Sequence, residues 1–200
     1  MKELKTQIFG ITALLLNNPQ TVDRFNPYAK AMAKINAKKT RRTDDDYLKL
    51  RDLEIRSKIY WDDELGIYVP FSWVLAALAK HSFHVCKVSK ANIRGAVVLA
   101  EGQEERIKLS YDKMELVKTP EDIVGNDHFR HLMLLPQGQV RVAKEFPIFH
   151  KWSFETNLEY DPSIIDPDGI EETLVHAAKY GGFGDFRPSF GRAKAVVSHV

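Results

Sequence analysis

Between residues 178 and 197 the chain reads AKYGGFGDFRPSFGRAKAVV, which interleaves Gly181, Gly182, Gly184 and Gly191 with Phe183, Phe186, Phe190, Arg187 and Arg192. Glycines this close together let the backbone take positive φ or approach a bulky neighbour, and successive N–H groups of such a loop can face an anion. Arg187 and Arg192 supply the charge a phosphate needs, and the phenylalanines offer faces on which bases stack. The cluster follows a helical pattern, precedes a strand and lacks Gly-Lys-Ser/Thr. That order is the reverse of dinucleotide and nucleoside-triphosphate loops, so neither is read here. The competing account is a glycine end to the preceding helix, with Asp185 paired to Arg187.

The histidines offer less. His81 and His84 stand three apart in a helical segment, and His128 and His131 three apart at a loop–strand junction, each pair without the carboxylates a metal site would add. Neither metal nor cofactor is assigned. No Gly-x-Ser-x-Gly occurs, and Cys86 sits in SFHVCKV among apolar neighbours, so no catalytic nucleophile stands out. No residue is assigned as catalytic, and His81 and His84 are read as structural. A single cysteine excludes a disulfide framework or a multi-cysteine centre within one chain and points to a reducing, cytoplasmic compartment.

A second candidate is charge. Lys30, Lys34, Lys38, Lys39, Arg41 and Arg42 follow one another with no acid among them, and Asp44, Asp45 and Asp46 come next. Lys34, Lys38, Arg41 and Arg42 are assigned here as a grip on a phosphate backbone, against the alternative of a solvated helix face. With 29 basic and 27 acidic side chains the net charge is only +2, so distribution and not total carries that argument. No apolar run is long enough to span a membrane, and the opening MKELKTQIFGITALLLNN reads as a strand, not a signal peptide.

The elements that would position these residues follow from periodicity. Leu4, Thr6 and Ile8 alternate into the apolar run of a first strand. Asn26 and Pro27 open a helix to about Lys38; Thr43, followed by three aspartates, opens another to about Lys58. After Pro70, residues 72–83 are apolar nearly all round and predict a buried helix. RGAVVLAEG is read as a strand, and HLMLLPQGQVRVAKEFPIF as two strands about a PQGQ turn. KWSFETNLEY alternates over its length, DPDGIEETLVHAAKY forms a helix ending at Gly181, and RAKAVVS closes the chain as a strand. The order predicts an α+β fold with a ferredoxin-like antiparallel sheet on the βαββαβ plan. One domain spans residues 1–200, with a helical insertion at about 17–70 and a hairpin insertion at about 101–145.

IFGITALLL, GIYVPFSWVLAAL entering a helix, and GGFGDFRPSFGRAKAV, in that order, resemble the repeat-associated mysterious proteins, the RNA-binding subunits of CRISPR effector complexes. With NPYAKAM near the start the arrangement also resembles phage and prophage proteins. The resemblance implies that Gly181, Gly182, Gly184 and Gly191, with Arg187 and Arg192, touch a nucleic-acid backbone. Asp185 inside the loop and Pro188 beside it depart from a pure phosphate cradle. The function expected is non-catalytic binding of single-stranded RNA or DNA, by copies self-associating in a filament along the strand, in a bacterial or phage-infected cell. Two alternatives stand beside it: a protein–protein module that mimics or joins a CRISPR complex, and a metal-independent endoribonuclease.

Overall fold

The computed structural model describes residues 1–38 and 41–199; Lys39 of the basic run lies outside them. Its elements are β1 (Lys2–Gly10), β2 (Leu14–Leu15), α1 (Pro27–Asn36), α2 (Asp44–Lys58), β3 (Trp61–Asp62), β4 (Gly66–Pro70), α3 (Ser72–Cys86), α4 (Lys90–Ala96), β5 (Val97–Leu99), β6 (Arg106–Lys108), α5 (Pro120–Val124), β7 (Arg130–Gln137), β8 (Val140–Phe149), β9 (Ser153–Tyr160), α6 (Pro167–His176) and β10 (Ala193–His199). The fold is α+β with antiparallel sheets. By its contacts the chain divides into two compact units. The first holds Met1–Leu14, Asp62–Asp112 and Phe149–Val200, and the second Leu15–Trp61 and Lys113–Ile148.

In the first unit four strands pair in the order β10, β1, β9, β5, and each pairing is antiparallel. Alternation decides the faces. Leu4, Thr6 and Ile8 on β1 and Phe154, Thr156, Leu158 and Tyr160 on β9 are buried, while Lys5, Phe9 and Glu155 point the other way and are exposed. The buried Thr6 hydroxyl donates to the Thr156 carbonyl at 2.7 Å, so that polar group enters the core satisfied. Trp152, Phe154 and Phe183 pack ring to ring, with Phe183 edge-on to Phe154 at 5.4 Å. Burying Phe183 contributes about 2–3 kcal/mol. Helices α3 and α6 pack against each other.

Two local expectations are corrected. The first strand does not continue through the apolar run: it stops at Gly10, where a side chain would collide with the Trp152 indole at 2.3 Å, and resumes only as β2. Trp152 seals that break by donating its indole N–H to the Thr12 carbonyl at 2.8 Å. RGAVVLAEG is strand only from Val97. Ser89 caps α4, accepting from the Asn92 amide, so Arg94, Gly95 and Ala96 finish a helix before the β-branched pair Val97–Val98 switches the chain to strand.

In the second unit the capping signals act as read. Asn26 accepts from the Tyr28 amide at 2.9 Å with Pro27 beginning α1, and Thr43 and Asp46 form a reciprocal capping box on α2. Such a cap stabilises by about 1 kcal/mol. The β7–β8 hairpin pairs from Arg130 opposite Pro147 to Gln137 opposite Val140, turning at Gly138 with φ +62°. Arg130 ties it down, donating to Asp52 of α2 at 2.9 Å, to the Val124 carbonyl of α5 at 2.7 Å, and to Glu145 across the hairpin. Ile55, Ile59, Ile123, Phe129 and Phe146 are buried in this unit.

Candidate functional site

The glycine loop begins where α6 gives way to a π-helical turn at Ala177–Gly181. Gly182, Gly184 and Gly191 all have positive φ, at 75°, 73° and 72°. The two sides of the loop cross backbone against backbone. A Cβ on Gly191 would lie 1.8 Å from the Phe183 carbonyl oxygen, and one on Gly182 would lie 2.8 Å from the Gly191 oxygen. The Phe183 amide donates to the Gly191 carbonyl, Gly191 to the Ala13 carbonyl and Gly182 to the Ala177 carbonyl, each at 2.8 Å, and Arg192 to the Thr12 hydroxyl at 2.9 Å. Gly182 and Gly191 therefore serve close packing, and their amides are occupied. The half-exposed Gly184 and the exposed Arg187, Pro188, Ser189 and Arg192 are turned outward, with the arginines as the loop's outward charges. Asp185 accepts from the Phe186 amide at 2.9 Å.

Gly181 has a different neighbour. Its missing side chain leaves room for His81: a Cβ there would lie 2.4 Å from the His81 Nε2. The loop and the α3 histidines are thus one place. The His81 ring lies 5.2 Å from that of His176, His84 lies 5.4 Å from His176, and His176 lies 4.8 Å from Tyr180. His81 Nε2 and His176 Nδ1 are buried without a hydrogen-bond partner. Burial, then the neighbouring His176, Lys80, His84 and Arg187, hold the His81 imidazole below its ordinary value. The helix bearing His81 and His84 was expected to be buried nearly all round. Instead Phe83 is 63% exposed, and Lys80 and His84 are exposed too. His176 is one of seven histidines the sequence offers, and its place beside His81 and His84 could not be read from spacing, since α3 and α6 lie far apart in the chain. Among the described residues no group of three or more His, Cys, Asp or Glu is arranged to hold a metal ion.

The basic segment of the second unit sorts its charges. Lys38 pairs with Asp46 at 2.5 Å, and the Asp46 side chain is only 6% exposed, so Lys38 supports the α2 capping box. Lys30 and Lys34 are exposed on α1, and Arg41 is exposed ahead of α2. The Arg42 guanidinium stands 5.8 Å from the Tyr47 ring, and Arg24 and Lys30 stand 5.3 and 5.4 Å from that of Phe25. The first unit repeats the arrangement, with Lys87 at 5.9 Å from Phe83 and Lys179 at 5.1 Å from Tyr180. Phe25, Tyr47, Phe83 and Tyr180 are each more than half exposed, at 67, 51, 63 and 56%. An exposed aromatic ring beside a cation presents a stacking face and a phosphate partner together.

The open face of the four-stranded sheet does not share this character. Glu155 accepts from Gln7 at 2.8 Å and Glu3 from Asn157 at 3.1 Å, and Phe9 is the one aromatic among the outward residues of β1, β9 and β10. Glu3, Glu155 and Glu159 share that face with Lys5 and Lys194, so it carries no single sign of charge to draw in a phosphate chain.

No protein-family model and no curated protein matches this chain. Among the described residues no helix is long and apolar enough to cross a membrane.

Proposed function

We propose that this protein binds single-stranded nucleic acid, RNA or DNA, several copies assembling along one strand in the cytoplasm of a bacterial or phage-infected cell. The observation that carries the reading is the repeated pairing of an exposed aromatic ring with a cation, at Phe25, Tyr47, Phe83 and Tyr180. Rings of this kind accept any base, and the exposed cations of α1 and of the glycine loop follow the phosphates. Arg187, Arg192, Lys34, Arg41 and Arg42 are the residues assigned to that grip, with Gly184 the glycine placed to let a backbone approach. The strand order β10, β1, β9, β5 in a βαββαβ succession supports a ferredoxin-like reading of the first unit. With it goes kinship to the RNA-binding subunits of CRISPR complexes.

The test is fluorescence anisotropy with labelled oligouridylate, oligothymidylate and a DNA duplex across a salt series. Both single strands bind in the expected outcome, more tightly than the duplex and with a steep loss of affinity as salt rises. Absence of single-strand binding at about 50 mM salt overturns the reading and leaves the protein–protein module.

One observation favours a second reading, a metal-independent endoribonuclease. His81, His84, His176 and Tyr180 stand together beside the loop, with Lys80 and Arg187 near enough to depress His81. A neutral imidazole beside protonatable neighbours is what general acid–base cleavage of RNA requires. Incubating the oligouridylate with the protein and a chelator separates the two: intact RNA supports binding alone, and cleavage that persists in a triple His81→Ala, His84→Ala, His176→Ala protein excludes these histidines.

A further inference from the structure

The second unit contains a cleft of about 700 Å³ walled by α1, α2 and β8, a size within the range of small-molecule and cofactor sites. Its apolar wall comes from alanine and methionine side chains of α1, Leu50 of α2, and valine and alanine of β8; polar side chains make up the rest of the lining, among them Asn36, Arg42, Tyr47, Arg51, Glu54 and Lys144. Among the described residues Glu54 is the one carboxylate lining the cleft, and it is paired with Lys144. Among the same residues Arg42 and Arg51 form no ion pair, so they add positive charge to the cleft. The Tyr47 ring, half exposed, stands beside Arg42. A concave site offering two guanidinium groups, an aromatic face and one side-chain amide matches the parts of a nucleotide: phosphate, base face and base edge.

We propose that this cleft receives one unstacked nucleotide of the bound strand, its phosphate held by Arg42 and Arg51 and its base laid against Tyr47, with the Asn36 amide at the base edge. The inference rests on the nucleic-acid reading and deepens it, since it distinguishes a strand that lies across the surface from one anchored by a base in a recess. Tyr47 and Arg51 are fixed on α2, about one and about two turns from the Thr43 cap, and an anchor built on a helix is held more rigidly than one on a loop.

The experiment uses the full chain and oligouridylate carrying 5-bromouridine. Irradiation should cross-link the oligomer to the tryptic peptide covering residues 43–49, which contains Tyr47. Tyr47→Ala should weaken oligomer binding about tenfold, and Tyr47→Phe should restore it. Arg51→Ala should lower the salt slope by about one at unchanged melting temperature. Uridine monophosphate, added as a competitor at the oligomer's dissociation constant, should displace nothing. Wild-type affinity in both the Tyr47→Ala and Arg51→Ala proteins overturns the cleft and leaves strand binding intact. Failure of the wild-type protein to bind the oligomer overturns strand binding and the cleft together, and capture of uridine monophosphate without the oligomer makes the cleft a free-nucleotide site instead.

Discussion

The glycine loop of the first unit and the basic segment of the second use their residues in opposite ways. In the loop the backbone is committed: amides of Gly182, Phe183, Gly191 and Arg192 all donate within the protein, and the side chains of Arg187 and Arg192 are its outward charges. Among the described residues of the basic segment the backbone is ordinary helix and cap, and the ion pairing falls on one side chain, Lys38, whose partner Asp46 belongs to a capping box. The difference concerns what a substitution destroys. A change in the loop's glycines strikes the fold, whereas a change among the exposed Lys30, Lys34 and Arg41 and the half-buried Arg42 removes charge and disturbs packing little.

The sharpest way to break that comparison is Gly191→Ala. The new methyl group would meet the Phe183 carbonyl oxygen at 1.8 Å on a backbone with φ of 72°, so the two sides of the loop must part. A loss of at least about 3 kcal/mol is expected, read as a fall in the urea midpoint. Gly184→Ala shares the positive φ of 73° but lies on the half-exposed side, and should cost only about 1–2 kcal/mol. Equal losses in the two variants would mean that φ alone, and not the backbone crossing, makes these positions glycine.

Next in size is the charge experiment. Replacing Lys30, Lys34, Arg41 and Arg42 together by Ala should lower the salt slope for single-strand binding by about three, with the melting temperature nearly unmoved. Lys38 is left out because its loss would uncouple Asp46, whose carboxyl the Lys38 ammonium and the Thr43 amide hold below the usual carboxylate range. Arg187→Ala removes one contact and should lower the slope by about one. A quadruple variant that matched wild type while Arg187→Ala did not would confine the strand to the first unit.

Much of the fold was legible because its signals are local. Asn26–Pro27, Thr43 with Asp46, and the alternation of Trp152 to Tyr160 each state their structure within a few residues. What escaped was set by distant partners. Gly10 ends β1 because of Trp152, and nothing in IFGITALLL announces that. The stretches 15–61 and 113–148 join in one unit through contacts such as Arg130 with Asp52, a pairing no spacing rule suggests. The glycines were found by their density, but the reason for Gly181 is an imidazole on another helix and the reason for Gly191 is the carbonyl of Phe183. Phe25 and Tyr47 escaped because an aromatic beside a lysine or arginine is common in sequence, and only exposure separates it from core.

The smallest effect concerns the histidines, and it bears on whether the loop's neighbourhood is structural or chemical. His81 is depressed in the folded protein, by burial first and by His176, Lys80, His84 and Arg187 after it, so the unfolded chain binds its proton at a higher pH than the native one does. Stability from this residue is therefore complete above the ordinary histidine value of about 6.5 and declines as pH falls through it toward the lower native value. Thermal melts at a series of pH values should show that decline, and His81→Gln should flatten it, because an amide of similar reach carries no titrating proton. His84→Gln, at an exposed position, supplies the comparison. If His81→Gln leaves the acid-side decline unchanged, the proton goes elsewhere and burial of Nε2 against Gly181 has no energetic consequence. If it flattens the decline while the oligouridylate stays intact and bound, the imidazole acts as a filler beneath the loop and the binding reading stands without chemistry. If it flattens the decline and also abolishes a cleavage that the wild-type protein performs, the His81 imidazole has a part in the chemistry.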